Sequence, residues 1–427
     1  MLVCVVLFIT GYFVSPVFLV AQIFFAFALM LFLIDVLLIF GREKGIEAQR
    51  IMADKFSNGD DNPVIISIRS RYPYAVNAMI IDEAPDIFQL RNINYNVEVI
   101  PGKEKLVQYN LRPVKRGEYI FGRLNIYISM PIAFVRKRYI FEQGKMVKVY
   151  PSYLQMRKYE LMAISNRLTE AGIKKIRKIG RTMEFDQVKD YVAGDDIRTL
   201  NWKATARKGD LMVNQYQDEK SQQVYCIIEK GRVMQMPFEG LSLLDYAINT
   251  SLVISNIAHL KHDKPGILTF SEKFGSFVPA ERRGMQMQKI LEVLYNQKTR
   301  YLESDYEKLF VFIKRRITQR SLLLFFTNFE TLSSLKRQLP FFQSLAKNHL
   351  LVVVFFENTE LRTLTEKEAF STEAIYVKTV AEGFALEKRQ IVKELNRHGI
   401  HAILSAPKNL SVNTINKYLE LKARGQF

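Results

Sequence analysis

Two adjacent carboxylates and two arginines stand close together in residues 180–217, with the chain's only tryptophan between the arginines: Asp195, Asp196, Arg198, Trp202 and Arg207. This stretch has no long apolar run and no regular helix or strand period, so burial alone does not explain its composition. Carboxylates and guanidinium groups that are near in sequence, around a turn such as the one indicated by Gly194, form charge-assisted hydrogen bonds. Such bonds would hold an irregular loop in a fixed conformation.

Three roles suit this charged stretch. It is either a structural clasp that joins two domains or an ordered docking or ligand surface, because loops on rigid scaffolds often carry function. The third role is enzymatic. A hydrolase or transferase would use Asp195, Asp196 and Arg198, since acids with perturbed pKa values collect at functional sites.

The order of residues in this stretch resembles the signature of the domain of unknown function 58 family. The matching residues are Glu184, Phe185, Tyr191, Gly194, Asp195, Asp196, Arg198, Trp202, Ala206 and Arg207. Lys189 replaces an arginine of the family pattern, which keeps the positive charge and loses the bidentate fork. Because the flanking regions also agree, the resemblance is expected to cover nearly the whole chain. It implies an architecture and a class of partner, and it implies no reaction.

The length of 427 residues predicts two soluble domains and an anchor rather than one ordinary domain. The formal net charge of +18 suits nucleic acid, an anionic membrane face or an acidic protein as a partner. The two cysteines are Cys4, in the apolar N-terminus, and Cys226, in a predicted core strand. They are not expected to pair, which fits a reducing compartment.

Residues 1–41 are almost wholly apolar and predict one long membrane span or two tight ones, since a span needs roughly 20 residues. Ser15-Pro16 marks the expected break, and the family resemblance implies a transmembrane hairpin here. A signal peptide is disfavoured because no basic region and no cleavage site flank the stretch. Basic residues after it place the remainder of the chain in the cytoplasm, at the inner face of the cell membrane: Arg42, Lys44 and Arg50.

Residues 62–150 predict a small antiparallel β-sandwich. Apolar and polar side chains alternate over 64–70, 107–111 and 124–129, and proline and glycine separate these runs. The run from Arg116 to Tyr119 also resembles a motif of the family in this domain. No group of residues here suggests catalysis, so a scaffold or protein-binding module is expected.

Residues 151–222 hold the signature stretch and most of a basic connector. The connector runs from 134 to 181 with an excess of ten positive charges, carried largely by Arg136, Lys137, Arg138, Lys174, Lys175, Arg177 and Lys178. It contains none of the sequence patterns of common nucleic-acid-binding modules. Behind a membrane anchor, attraction to anionic lipid headgroups is the simpler interpretation. Nucleic acid is not expected as a partner, although membrane-proximal binding of nucleic acid is kept as an alternative hypothesis.

Residues 223–405 alternate apolar strands with helices, which indicates a parallel sheet covered on both faces, and a tail follows at 406–427. The whole chain is therefore predicted to be an α+β multidomain protein. This last domain resembles the von Willebrand factor type A fold, a Rossmann-like α/β fold that the family places after its signature.

That fold often holds a divalent metal through an Asp-x-Ser-x-Ser motif and an aspartate from a later loop. The matching positions here are Glu229, Gly231, Val233 and Asn328. Too few oxygen ligands remain, so a degenerate site that binds no metal is predicted. The rim of the sheet, which also includes Lys230, Arg232 and Ser271, either binds another ligand or is inert.

The sequence has no phosphate-binding glycine loop, no nucleophile elbow, no zinc motif and no paired cysteines. We therefore expect a non-enzymatic, membrane-anchored adaptor whose soluble domains bind other proteins and need no cofactor. The family resemblance implies a MoxR-type AAA+ ATPase as the partner, with a role in assembling other complexes or in envelope stress.

Overall fold

The computed structural model describes residues 2–13, 15–88, 94–131, 134–164, 172–173, 183–218, 221–299, 301–366, 368 and 370–426. The chain divides into two units, Met1–Tyr150 and Pro151–Phe427. The first unit contains α1 (Leu2–Phe13), α2 (Ser15–Phe40), β1 (Ile46–Met52), β2 (Lys55–Ser57), β3 (Asn62–Ser70), β4 (Val76–Asp82), β5 (Asn94–Val99), β6 (Glu104–Leu111), β7 (Gly117–Phe121), β8 (Leu124–Ser129), β9 (Arg136–Phe141) and β10 (Lys145–Tyr150).

The second unit contains more helix than the first. Its elements are α3 (Tyr153–Ile164), β11 (Met183–Asp190), α4 (Trp202–Lys208), β12 (Met212–Asp218), β13 (Gln223–Glu229), β14 (Pro237–Phe238), β15 (Leu241–Ser242), α5 (Leu243–Leu260), β16 (Lys264–Phe270), β17 (Phe274–Val278), α6 (Gln286–Tyr295), α7 (Tyr306–Arg316), β18 (Leu322–Phe326), α8 (Leu332–Ala346), β19 (Leu350–Phe356), α9 (Thr359–Glu366), α10 (Thr372–Arg397), β20 (His401–Ser405) and α11 (Leu410–Ala423).

The apolar N-terminus forms two helices that meet at the predicted break, since α1 ends at Phe13 and α2 begins at Ser15. The ring of Phe8 lies edge-on to that of Phe18, with 6.0 Å between their centroids. Among the described helices, the segment Pro16–Phe40 is the one long and apolar enough to cross a membrane. Of the predicted span or spans, one is therefore supported by a described helix.

The end of α2 is tied to the strands that follow it. The hydroxyl of Tyr72 donates to the carbonyl of Ile39 at 2.7 Å, and that of Tyr74 donates to the carbonyl of Leu38 at 2.6 Å. The last carbonyls of a helix have no partner within the helix, so the two tyrosines satisfy groups that burial would otherwise penalise. Asp35, one turn earlier, accepts the backbone N–H of Val135 at 3.0 Å. The helix therefore joins the β region through side-chain contacts as well as the chain itself.

The described strands of the first unit form three small sheets, ordered β1-β3-β6, β2-β10-β7 and β5-β4-β8-β9, around one apolar core. Val64, Ile66 and Ile68 of β3 are fully buried, as the alternating pattern predicts. Two boundaries of the β region differ from the prediction. Strand β1 begins before residue 62, and Arg136, Lys137 and Arg138 belong to strand β9 rather than to a connector. The other connector residues that carry the predicted charge lie outside the described residues: Lys174, Lys175, Arg177 and Lys178.

A buried ion pair lies within this core. Arg50 donates from Nε to Asp82 at 3.0 Å and from Nη2 to the other oxygen of the same carboxylate. Tyr109 donates its hydroxyl to Asp82 at 2.6 Å, and Arg50 also donates to the carbonyl of Gln143 at 2.9 Å. Arg50 is therefore an internal residue of the folded first unit. The bidentate pair, with its extra hydrogen bonds, compensates the cost of burying both charges.

We predict that Asp82→Asn destabilises the first unit by about 3–5 kcal/mol, because the substitution leaves a buried guanidinium without its charge partner. Hydrogen exchange of the amides in β3, β4 and β6 measures the loss on the full chain in detergent. Lys145→Met is the matched control, since Lys145 pairs with Asp54 at the surface. Equal protection in the wild type and Asp82→Asn would contradict the role assigned to this pair.

The second unit is built on a six-stranded sheet, which the described strands form in the order β17-β16-β13-β18-β19-β20. All neighbours pair parallel except β17, which is an antiparallel edge strand. Alternate side chains of β13 enter two different cores, with Cys226 and Ile228 on one face and Tyr225 and Ile227 on the other. Helices α5, α6 and α11 contribute to the first core and α7, α8 and α10 to the second. This is the covered parallel sheet that the sequence predicts for residues 223–405.

The predicted tail at 406–427 is part of this fold. Helix α11 lies within it and buries Leu410, Ile415, Tyr418 and Leu421 in the same core as α5. The apolar side chains recur at helical spacing, and their burial makes the segment a structural element of the second unit.

Candidate functional site

The signature stretch folds as a hairpin with a helical cap. Strands β11 and β12 pair antiparallel, with Asp190 opposite Met212. The residues between them form a 3-10 turn, Ile197–Thr199, and the short helix α4. Gly194 has a φ of 113°, which side chains other than glycine rarely adopt, so its place in the signature has a backbone reason. Helix α4 ends at Gly209, which lies in the left-handed region at a φ of 86°.

Local hydrogen bonds hold the loop of this hairpin. Asp195 accepts from Nζ of Lys189 and from the backbone N–H of Val192, both at 3.0 Å. These bonds, first the one from Val192 and then the one from Lys189, lower the pKa of the Asp195 carboxyl. Asp196 accepts the backbone N–H of Arg198 at 3.0 Å and thereby caps the 3-10 turn. Both carboxylates therefore serve the local fold, and Asp195 has a lysine rather than the expected arginine as its charged partner.

The same loop leaves large apolar side chains in solvent. Relative exposures are 69% for Trp202, 69% for Ile197 and 62% for Val192. Arg198 and Arg207 are exposed beside them in sequence, whereas Tyr191 is half-buried. The side chains of Glu184 and Phe185 lie outside the described residues, although their backbone pairs with Gln217 and Tyr216 in the hairpin. The loop is thus ordered by polar bonds and not by burial of its tryptophan.

The four positions of the predicted degenerate metal site come together where β13 and β18 end. Glu229 is buried and accepts the hydroxyl of Tyr306 at 2.8 Å and that of Thr327. Burial raises the pKa of the Glu229 carboxyl, and the hydroxyl bonds offset only part of that effect. A side chain at Gly231 would collide with Ser304.

The other two positions also contact each other, since Asn328 donates its amide to the carbonyl of Val233 at 3.4 Å. Among the described residues, no group of three or more His, Cys, Asp or Glu side chains is arranged to hold a metal ion. The expectation that this chain binds no metal stays a prediction.

Of the other rim residues, Lys230 is buried and Arg232 is exposed, while the backbone carbonyl of Ser271 accepts the backbone N–H of Asp305 at 3.1 Å.

Sequence reasoning missed one residue of this rim, Lys388 on α10. Its Nζ donates to Oδ1 of Asn328 at 2.7 Å and to the carbonyl of Phe329. Burial lowers the pKa of the Lys388 ammonium to about 8, and the charge of Glu330 opposes this only in part. Nothing in the sequence separates Lys388 from the other lysines of a charged helix, because the contact joins residues 60 positions apart.

Comparison with known proteins supports the resemblance over part of the chain. A family model described as "Protein of unknown function DUF58" matches residues 187–363. The uncharacterized protein YeaD of Bacillus subtilis (strain 168) is 24% identical over 180 residues, which cover 40% of this chain and 44% of YeaD. The chain therefore spans less than half the length of this curated relative. The expected resemblance over nearly the whole chain is confirmed for 187–363, which includes Tyr191 to Arg207 and the positions from Glu229 to Asn328.

Two solved structures show remote likenesses to part of the chain. A part of Escherichia coli alpha-2-macroglobulin matches at 15% identity and a TM-score of 0.21, covering 25% of this chain and 16% of that one. A PapD-like domain of human CEP192 matches at 12% identity and the same TM-score of 0.21, covering 25% of this chain and 87% of that one. Scores this low support no conclusion about fold or function.

We predict that Glu229→Gln removes a pH dependence of stability from the second unit. In the unfolded chain this carboxyl ionises near its ordinary pKa of 4.5, while the folded chain keeps the proton to higher pH. Wild-type stability should therefore fall relative to the variant as pH rises above 4.5, by up to about 1.4 kcal/mol per pH unit, until the folded carboxyl itself ionises.

Urea unfolding of both proteins between pH 5 and 8, monitored by hydrogen exchange of the β13 amides, measures this difference in stability. Asp305→Asn is the control on the neighbouring loop. Lys308 lowers the pKa of the Asp305 carboxyl below its ordinary 3.8, so its contribution to stability changes only at lower pH, and this variant should differ from the wild type by the same amount throughout pH 5 to 8. A difference between wild type and Glu229→Gln that does not change with pH would show that the carboxyl is ionised in the folded state.

Proposed function

We propose that this protein is a non-enzymatic, membrane-anchored adaptor that docks a partner protein on the exposed loop of the signature hairpin, residues 191–211. One observation carries the proposal: a loop fixed by its own hydrogen bonds holds Val192, Ile197 and Trp202 in solvent. Single exposed apolar residues are common, whereas exposed apolar residues gathered in one patch mark interaction surfaces, and these three lie within residues 192–202 of one ordered loop.

The composition of this loop suits a protein partner. Tryptophan and arginine are the residues most enriched among those that dominate binding energy at protein interfaces, and here Trp202 lies between Arg198 and Arg207. The bonds of Asp195 and Asp196 order the loop before any partner arrives. Pre-ordering lowers the entropy lost on binding, so the contacts of Trp202 contribute more fully to affinity.

The family resemblance supports a MoxR-type AAA+ ATPase as the docking partner. The signature residues from Tyr191 to Arg207 and the following α/β unit both lie within the stretch that the family model matches. We infer that the α/β unit, residues 223–405 with α11, is a von Willebrand factor type A-like domain with a degenerate metal site. Its strand order, with a parallel sheet and an antiparallel edge strand, supports that assignment. This protein and the ATPase would together assemble other complexes or take part in a response to envelope stress.

The membrane assignment rests on α2. We infer that Pro16–Phe40 spans the cell membrane and that Arg42 and Lys44 hold its C-terminal end on the cytoplasmic side. Anionic lipids would then interact with the basic residues that follow the anchor. The soluble parts of both units are accordingly placed in the cytoplasm, where an ATPase and its nucleotide are available.

Crosslinking in native membranes followed by identification of the captured proteins tests the proposal. We predict that Trp202→Ala combined with Ile197→Ser lowers recovery of the ATPase at least tenfold, because the double change removes the largest exposed apolar side chains of the loop. Ile120→Ser is the matched control, since Ile120 is 72% exposed and lies in the first unit.

Stable expression of both variants in the membrane fraction is required for the comparison. The loop bonds donated to Asp195 and Asp196 do not involve either substituted side chain, so the hairpin should keep its fold. Undiminished capture by the double variant, or capture that never includes an ATPase, would count against the adaptor and its docking loop.

A further inference from the structure

A cavity of about 730 Å³ opens at the carboxyl ends of β18, β19 and β20, where α9 and α10 form its outer wall. Its volume falls within the range of small-ligand pockets, roughly 300–1,000 Å³. The carboxyl ends of the strands are also where ligands bind in open α/β sheets. This cavity is separate from the signature hairpin, so an inference from it does not depend on the proposed adaptor function.

The walls of the cavity are mostly hydrocarbon. Phe238, Leu243, Phe356, Phe384 and Leu404 contribute side chains to its lining. Phe356 and Leu243 belong to the apolar core beneath, whereas Phe384 is 44% exposed on α10. A ligand with an apolar body would therefore remove apolar surface of the protein from water as well as its own.

The inner end of the cavity holds a positive charge whose hydrogen-bond acceptors are neutral groups. Lys388 is half-buried, and its acceptors are the Asn328 side chain and the Phe329 carbonyl. The ring of Phe355 lies 5.7 Å from Nζ, within the range of a cation–π contact. Asn328 is buried, and its amide makes one long bond of 3.4 Å to Val233. Two donors thus converge on the inner end of an apolar cavity.

The remaining charges of the lining do not neutralise this lysine. Arg362 and Glu366 pair with each other at 3.0 Å. Glu330 and Arg389 are exposed, and Glu357 is half-buried. Among the described residues no carboxylate lies within ion-pair distance of Lys388, although Glu330 is near enough to act on its charge. The charged group that contacts the buried Asn328 is therefore the ammonium of Lys388.

We propose that this cavity binds a carboxylate attached to an apolar group, with the carboxylate on Lys388 and Asn328 and the apolar body against Phe356 and Phe384. A free small acid and the C-terminal end of a peptide with apolar last residues share this chemistry. The ammonium and the amide donate to the two carboxylate oxygens, which gives a charge-assisted hydrogen bond in a site of low dielectric.

The test uses the full chain in lipid nanodiscs, with empty nanodiscs as the blank. The probes are 4-phenylbutyrate and the acetylated dipeptide Leu-Phe with a free carboxylate, each compared with its own neutral amide by saturation-transfer NMR and calorimetry. We predict that at pH 7 one or both acids bind at least tenfold more tightly than the matching amide. Binding of the small acid alone, or of the dipeptide alone, identifies which source of carboxylate the cavity accepts.

Lys388→Met should weaken the acid at least tenfold and leave the amide unchanged, while Lys388→Arg should retain binding. Lys393→Met is the matched control on the exposed side of the same helix.

In the wild type, acid binding should fall at least tenfold between pH 7 and pH 9.5, because the ammonium of Lys388 loses its proton above a pKa of about 8. The pH comparison and the acid–amide comparison need no variant, so they hold even if a substitution at Lys388 prevents folding. Equal binding of acid and amide, or equal binding at both pH values, would overturn the proposal.

Discussion

Burial of both faces of the central sheet is the constraint on which the second unit depends. Along β13, β18 and β19 successive side chains enter one apolar core or the other, until the last residues of the strands. The backbone groups of such strands are used by their neighbours, so neither face offers polar groups to a ligand. Polar chemistry is therefore confined to the strand ends, and Glu229, Thr327 and Asn328 are found there.

The chain deals with buried charge in three physically different ways. Arg50 and Asp82 form a bidentate pair whose remaining hydrogen-bonding groups are also satisfied. Glu229 accepts the hydroxyls of Tyr306 and Thr327, and burial raises the pKa of its carboxyl. Lys388 retains a proton near neutral pH against two neutral acceptors. The first arrangement stabilises a core, whereas the last leaves an interaction that an incoming anion would complete.

The sequence predicts the elements whose burial leaves a regular pattern. The apolar runs of β13, β18 and β19 and the alternation in β3 predict buried strands, and the structure has strands there. The same pattern does not predict strand β1, because one of its inward positions is Arg50. An arginine is expected at the surface, and only its buried pair with Asp82 explains why it lies inside. Helix α11 lies in the segment predicted to be a tail, 406–427, and its packing against α5 makes it part of the core.

The candidate sites show the same division between local and distant information. The hairpin loop is fixed by contacts between near neighbours, which involve Gly194, Asp195 and Asp196, so this role could be inferred from their spacing. The charged partner of Asp195 is Lys189 and not the expected arginine. The pairing of Asn328 with Lys388 depends on how α10 returns to the sheet edge, and no local pattern contains that information. Sequence alone therefore finds the loop and the rim position of Asn328, and it misses the lysine that contacts Asn328.

The exposed tryptophan contributes little to the stability of the second unit. Trp202 is 69% exposed, while the loop that carries it is held by Asp195, Asp196 and Asn201 through bonds to backbone groups and Lys189. Removing an exposed indole costs a fold little, because little apolar surface is returned to water when it goes. The fold therefore depends little on this exposed indole, and it is the side chain that the proposed docking of a partner protein would use.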